Sequence, residues 1–171
     1  NLAFGTFSGG AGSLGLASGI ILTTGDAGLA IGPNVLGSSG LVHGTSATDP
    51  DLIAIDPQAT NDICVLEFDV IPQCDTLTLD YVFASEEYPE FVGGGFNDAF
   101  GFFLTGPNPF GPAYASENVA IIPGTATAVS INTVNSGSNP SFYIDNAGGT
   151  NTSYDGLTTP LTASMPVVQC Q

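Results

Sequence analysis

The chain carries 16 acidic side chains and not one lysine or arginine. Apart from the single histidine, His43, nothing in it can pair with a carboxylate. The constraint is sharpest between Asp80 and Phe103, where DYVFASEEYPEFVGGGFNDAFGFF sets five carboxylates, Asp80, Glu86, Glu87, Glu90 and Asp98, among aromatic residues. Carboxylates held near one another repel, and desolvating them without a counter-charge costs several kcal/mol each. A fold built from this segment must leave those groups in water, protonate them, or bind a cation. A hard divalent ion, calcium, is the preferred reading.

Basic residues are common enough in ordinary proteins that their total absence is a property to explain. A cation-rich extracellular setting screens the acidity. Freedom from trypsin-like cleavage suits a secreted or surface protein, and a fragment between basic flanks is the third explanation. A net charge of −16 argues against nucleic acid and anionic membranes, both of which would repel the chain at long range.

The length fits a single domain, 1–171, and 43% hydrophobic residues supply a core. Gly 23 and Pro 12, with few strong helix formers, predict short strands joined by many turns, an all-β antiparallel sandwich or jelly-roll-like fold. No run of 18 apolar residues predicts membrane insertion, and Asn1 does not open a signal-peptide pattern.

The clearest predicted pair is a hairpin of Ile63 to Ile71 with Thr76 to Ala84. Cys64, Leu66, Phe68 and Val70 share one face of the first strand; Leu77, Leu79, Tyr81 and Phe83 share one face of the second. This hairpin would set Glu67 and Asp69 across from Thr78 and Asp80, which solvation or a bridging metal must relieve. Further strands are predicted at Ile20 to Thr24, Phe100 to Thr105, Val119 to Ile122, Ala128 to Val134, Ser141 to Ile144 and Thr158 to Ala163.

Gly10-Ala11-Gly12-Ser13-Leu14-Gly15 matches the dinucleotide fingerprint only formally, because no helix pattern follows and no acid lies about twenty residues on. It reads as a turn before the Ile20 strand. His43 lacks the partners of a hydrolytic triad or a zinc site and reads as a loop residue. Glu86 and Glu87, adjacent on a strand, would point to opposite faces and make a poor acid and base pair. No enzymatic role is expected. Calcium needs six to eight oxygens, and three loop clusters offer them: Glu86 and Glu87 with Asn97 and Asp98, Asp145 with Asn146, and Asp49 with Asp51. None follows the EF-hand spacing, so the ligands would converge from separate loops, while turn capping alone accounts for Asp49 and Asn146. Cys64, Cys74 and Cys170 allow one disulfide and leave one thiol over; Cys64 with Cys74 suits the predicted hairpin, and Cys170 can replace either.

The runs LGLASGIILTTGDA (14 to 27), DPDL (49 to 52), VLEFDVIP (65 to 72), YVFASEEYPEFV (81 to 92), FNDAFGFFLTGP (96 to 107) and IPGTATAVSINTVN (122 to 135) together resemble the choice-of-anchor L domain, a module of bacterial surface and secreted proteins. The resemblance spans nearly the whole chain. It implies an extracellular or cell-surface address, an all-β fold and a role in adhesion or surface architecture, and it assigns no catalytic residue. Family members carry a further segment before the equivalent of Asn1 and strands after the equivalent of Cys170. Their lack here would leave an open sheet edge that recruits a strand; the alternative is that the chain is part of a longer protein.

The resulting expectation is a non-enzymatic, calcium-stabilised surface module. Its partners would be other surface proteins, glycans or copies of itself. One alternative is a filament subunit assembled by strand exchange; another is a carbohydrate-binding module using Tyr88 and Phe91 beside Glu87.

Overall fold

The computed structural model describes residues 3–37, 39–42 and 48–170, so His43 lies outside the described residues. The expected all-β class is present. The strands are β1 (Phe4–Ser8), β2 (Ser18–Leu22), β3 (Thr76–Tyr81), β4 (Ala84–Ser85), β5 (Phe103–Gly106), β6 (Tyr114–Asn118), β7 (Tyr143–Asp145), β8 (Gly156–Thr158) and β9 (Leu161–Pro166). One short helix, α1 (Pro50–Ile55), lies between β2 and β3. Among the described residues the strands pair in four small sheets: β1 with β2, β3 with β9, β5 with β6, and β8 between β4 and β7. Every pairing is antiparallel.

Glycine and Asx chemistry explain two of the local choices. The β1–β2 hairpin, in register from Phe4↔Leu22 to Ser8↔Ser18, closes through the segment that formally resembles a nucleotide loop. There Gly9 and Gly15 take φ of 79° and 73°, a region that favours glycine. The Gly10 N–H donates to Ala17 O at 3.2 Å. A Cβ on Gly10 would lie 2.6 Å from Leu16 O, so backbone approach requires glycine at that position. Asp49 caps α1, its Oδ1 accepting the Asp51 and Leu52 N–H groups at 2.9 and 3.1 Å, with Pro50 in the first turn.

The predicted Ile63–Ile71 hairpin does not form. β3 exists, but its partner is β9, in register from Thr76↔Pro166 to Tyr81↔Leu161. Asp80 therefore opposes Thr162, whose hydroxyl donates to Asp80 Oδ1 at 2.6 Å, instead of the acids Glu67 and Asp69. Residues 63–71 carry no strand assignment, and Val65, Leu66, Phe68, Val70 and Ile71 are between 44% and 69% exposed.

The other boundaries shift for local reasons. Ile20–Thr24 and Phe100–Thr105 overlap β2 and β5, while Ser141–Ile144 starts as a 3-10 turn over Pro140–Phe142 before β7. Thr158–Ala163 is broken at Thr159 and Pro160 into β8 and β9, as expected where proline removes a donor. Val119–Ile122 and Ala128–Val134 are not strands; only bridges at Ile121↔Ala128 and Ala99↔Ser130 remain, and 131–133 turn. These two segments are nevertheless core, with Ala120, Ile122, Val129, Ile131 and Val134 each 0% exposed. The two segments bond to each other only briefly, through the Ile122 N–H to Thr127 O at 2.8 Å and the Val129 N–H to Ala120 O at 3.4 Å, so their apolar spacing marks burial more than an extended ladder.

The core gathers Tyr81, Phe83, Tyr88, Val119, Leu161 and Ala163 around those residues. Tyr88 is its anchor: fully buried, it donates its hydroxyl to Val134 O at 2.6 Å and its ring centroid lies 5.0 Å from that of Tyr143. Gly156 makes room for both rings, since a Cβ there would lie 2.7 Å from Tyr88 Cδ2 and 2.8 Å from Tyr143 Cε2.

Candidate functional site

The site is built outward from β4. Ala84 and Ser85 pair with Leu157 and Gly156. Just before them, the Thr158 N–H donates to Phe83 O at 2.8 Å and Thr158 Oγ1 accepts the Phe83 N–H at 3.0 Å. This double clamp fixes where the chain leaves the sheet, and Ser85, 2% exposed, takes over as the local organiser. Its hydroxyl donates to Asp98 Oδ2 at 2.6 Å, and its oxygen accepts the Glu87 N–H at 2.9 Å. One small side chain thus ties the two most recognisable runs of the sequence together, Ser85 to Tyr88 and Asn97 to Gly101.

Glu86, Glu87 and Asp98 share this neighbourhood. All three carboxyl pKa values are raised, chiefly by desolvation. For Glu87 the charges of Asp98 and Glu90 add to the rise. For Glu86, Asp155 and Glu87 add to it, against hydrogen bonds from Ser153 and Ser39. Asp98 is crowded by protein atoms yet keeps surface exposure, so water or an ion reaches it.

Glu86 reaches back across the fold. Its Oε2 accepts the Ser39 N–H at 3.0 Å, and Ser153 Oγ lies 3.2 Å from its Oε1. The same Ser153 hydroxyl lies only 2.5 Å from Leu29 O. A hydroxyl has one proton to donate, so Leu29 O and Glu86 Oε1 compete for it.

Asp155 completes the group, and sequence reasoning missed it. Its Oδ1 accepts from Asn34 Nδ2 at 2.9 Å, while its Oδ2 is buried with no hydrogen-bond partner among the described residues. Asn34, itself buried, also donates to Asn146 O and Tyr154 O at 3.2 and 3.3 Å. A shallow groove of about 190 Å³ opens beside these residues, lined in part by Asn34, Ser39 and Ser153. A larger groove of about 310 Å³, lined by Glu117, Ile121, Thr162 and Met165 among others, includes none of these acids.

The remaining candidate ligands are engaged elsewhere. Asn97 Nδ2 donates to Asp56 Oδ2 and its Oδ1 accepts the Asn132 N–H at 3.2 Å, pinning the strand approach to the Ser130 turn. Asp145 accepts the Ala147 N–H at 3.0 Å in a turn. Asn146 Nδ2 donates to Thr152 O and Tyr154 O at 3.1 and 2.7 Å, stapling the loop before β8. Asp49 caps α1, and Asp51 accepts from the Ser116 hydroxyl. The structure therefore brings together Glu86, Glu87 and Asp98, with Asp155, and leaves Asp49 and Asp51 at α1 and Asp145 and Asn146 in their own loop. Among the described residues no three His, Cys, Asp or Glu side chains converge tightly enough to chelate an ion by themselves. Tyr88 is buried, so it cannot form the sugar platform of the carbohydrate reading, and Phe91 instead packs edge-on against Phe96 at 5.1 Å.

No helix of the described residues is long and apolar enough to cross a membrane. Comparison with curated proteins and with solved structures finds no match in either. The family comparison is positive: the model described as the choice-of-anchor L domain matches residues 1–171, the whole chain, which therefore belongs to that family of bacterial surface-associated modules.

Proposed function

We propose that this chain is a non-enzymatic extracellular module for adhesion or surface architecture, stabilised by calcium at the acids gathered around Ser85. The observation that carries the reading is the cluster of Glu86, Glu87 and Asp98, all with raised pKa values, in a chain without lysine or arginine. Calcium suits flexible, oxygen-rich surroundings and accepts water, hydroxyl and carbonyl ligands beside one or two carboxylates. Glu87 with Asp98 would supply those carboxylates, and the bound ion would lower the cost of holding both ionised. Calorimetric titration with calcium at neutral pH tests this: one saturable site, lost in Asp98→Asn, supports it. Absence of heat and of binding by equilibrium dialysis would refute the metal role.

A second reading, a subunit that assembles by strand addition, is favoured by one observation. Val65 to Val70 alternates apolar and acidic residues, is exposed, and makes no backbone hydrogen bond among the described residues. Extended segments of this kind recruit a strand. Sedimentation velocity over a wide concentration range, with calcium to screen the acidity, separates a strand-adding subunit from a monomeric module.

A further inference from the structure

Building on the strand-adding reading, on which the step rests, we infer that residues 65–71 pair with the same residues of a second copy of this chain, antiparallel about a two-fold axis at Phe68. From residue 63 to Pro72 the chain carries no turn, bend or strand assignment. Both ends of the run are tied to the body. The Cys64 sulfur lies 3.7 Å from Ala3 O, and Pro72 O accepts the Cys170 N–H at 2.9 Å. Between them, among the described residues, Val65 to Val70 make no backbone hydrogen bond, and Ile71 O takes only the Gln73 side-chain amide at 3.3 Å. Pro72 has no N–H, so a ladder built here ends at Ile71. Leu66, Phe68 and Val70, which share one side of an extended run, are 46%, 64% and 44% exposed.

The order of the residues selects a second copy as the partner. Val65-Leu66-Glu67-Phe68-Asp69-Val70-Ile71 has the same chemistry read from either end: two aliphatics, an acid, Phe68, an acid, two aliphatics. Antiparallel pairing about Phe68 sets Phe68 on Phe68, Leu66 on Val70 and Val65 on Ile71, apolar against apolar, with opposed Cα atoms about 4.5–5.5 Å apart. A ladder that exchanges bonds at Phe68, and between Leu66 and Val70, uses only backbone groups that each copy leaves bare. The contact is isologous and closes as a dimer. Its one mismatch is electrostatic: Glu67 of each copy opposes Asp69 of the other, in a chain whose net charge is −16. Like charges directly opposite are destabilising, so the dimer needs a divalent cation, salt or acid to form. Seven residues a side fall well short of the about 20–30 of a standard interface, so the association is weak and concentration-dependent.

The test is sedimentation velocity of the whole chain over a wide concentration range, with reductant to keep the exposed Cys74 and Cys170 from linking copies. The unaltered chain should pass from monomer to dimer as concentration rises in calcium, and stay largely monomeric in chelator. Glu67→Lys sets a lysine against Asp69 of the other copy at both ends of the pair, so it should tighten dimerisation by about tenfold and make it independent of calcium. Glu67→Lys combined with Asp69→Lys sets lysine against lysine and should return the chain to monomer in chelator, although its net charge is nearer zero. General charge neutralisation predicts the reverse. Both positions are exposed, so far-UV circular dichroism should show the fold unchanged. A chain that stays monomeric at every concentration in calcium overturns strand addition and this pairing together. Association that Glu67→Lys weakens or leaves unchanged, or that grows beyond a dimer, leaves strand addition standing and overturns the self-pairing about Phe68.

Discussion

Ser85 holds Asp98 and Glu87 at once, giving its proton to Asp98 Oδ2 at 2.6 Å and taking the Glu87 N–H at 2.9 Å. Two acids that repel are thereby fixed near each other by a neutral hydroxyl, and neither gains a positive partner among the described residues. The geometry is specified, while the charge is left to solvent, protons or a cation.

Ser85→Ala should therefore cost about 1–3 kcal/mol, because it strands the half-buried Glu87 N–H and removes the only hydrogen-bond donor to Asp98 Oδ2 among the described residues. Urea denaturation measures it. A change below about 0.5 kcal/mol would mean that water replaces the hydroxyl without loss.

Gly156→Ala should destabilise by about 1–3 kcal/mol through overpacking, since the added carbon would meet Tyr88 and Tyr143 inside van der Waals contact. The chain has no tryptophan, so tyrosine fluorescence, to which this pair contributes two of five tyrosines, follows the unfolding. Tyr88→Phe removes the hydrogen bond to Val134 O and should cost about 1 kcal/mol.

Acidity should stabilise the metal-free protein. Glu86, Glu87 and Asp98 have pKa values raised in the fold, so the native state binds more protons than the unfolded chain as they titrate. Their favourable contribution is fully present below the unfolded carboxylate range of about pH 4 and is lost as pH rises through the folded values. Melting in chelator should thus move to lower temperature between about pH 4 and neutrality. Calcium should flatten that slope near neutrality and lose its effect below about pH 4, where its ligands protonate. A chelator melt that rises over the same window would contradict the assignment.

Phe68→Ser should leave stability within about 0.5 kcal/mol, because the ring is 64% exposed. If strand addition operates at this segment, the same change should weaken concentration-dependent association seen by sedimentation. Unchanged association would move the contact elsewhere.

Sequence patterning revealed the class of fold and pointed to acids that the fold places near one another. Thr76 to Tyr81 alternates clearly and is a strand, but Val65 to Val70 alternates as well and is not. Alternation reports suitability for a pleated surface and says nothing about the neighbour, which for β3 comes from Leu161–Pro166, far along the chain. Glu86, Glu87 and Asp98 stood out because charge is legible in sequence. Ser85, Ser153 and Asn34 did not, because a small polar residue shows its value only once buried beside an acid. Asp155, isolated among Tyr154 and Gly156, likewise gave no local signal. Tyr88, which the carbohydrate-binding alternative would place at the surface, is fully buried, a position that its neighbours Glu87 and Glu90 conceal in the sequence.

The measurement that bears most directly on a cation-stabilised surface module is thermal melting of the chain at neutral pH, with excess calcium and then with chelator. Calcium at about a hundred times its Kd should raise Tm by about 5–10 °C, reversibly. Asp98→Asn should abolish the shift, and Asp75→Asn, whose carboxylate accepts from the adjacent Thr76 hydroxyl, should keep it. An identical Tm with calcium and with chelator, or an equal loss of the shift in both variants, would contradict the account.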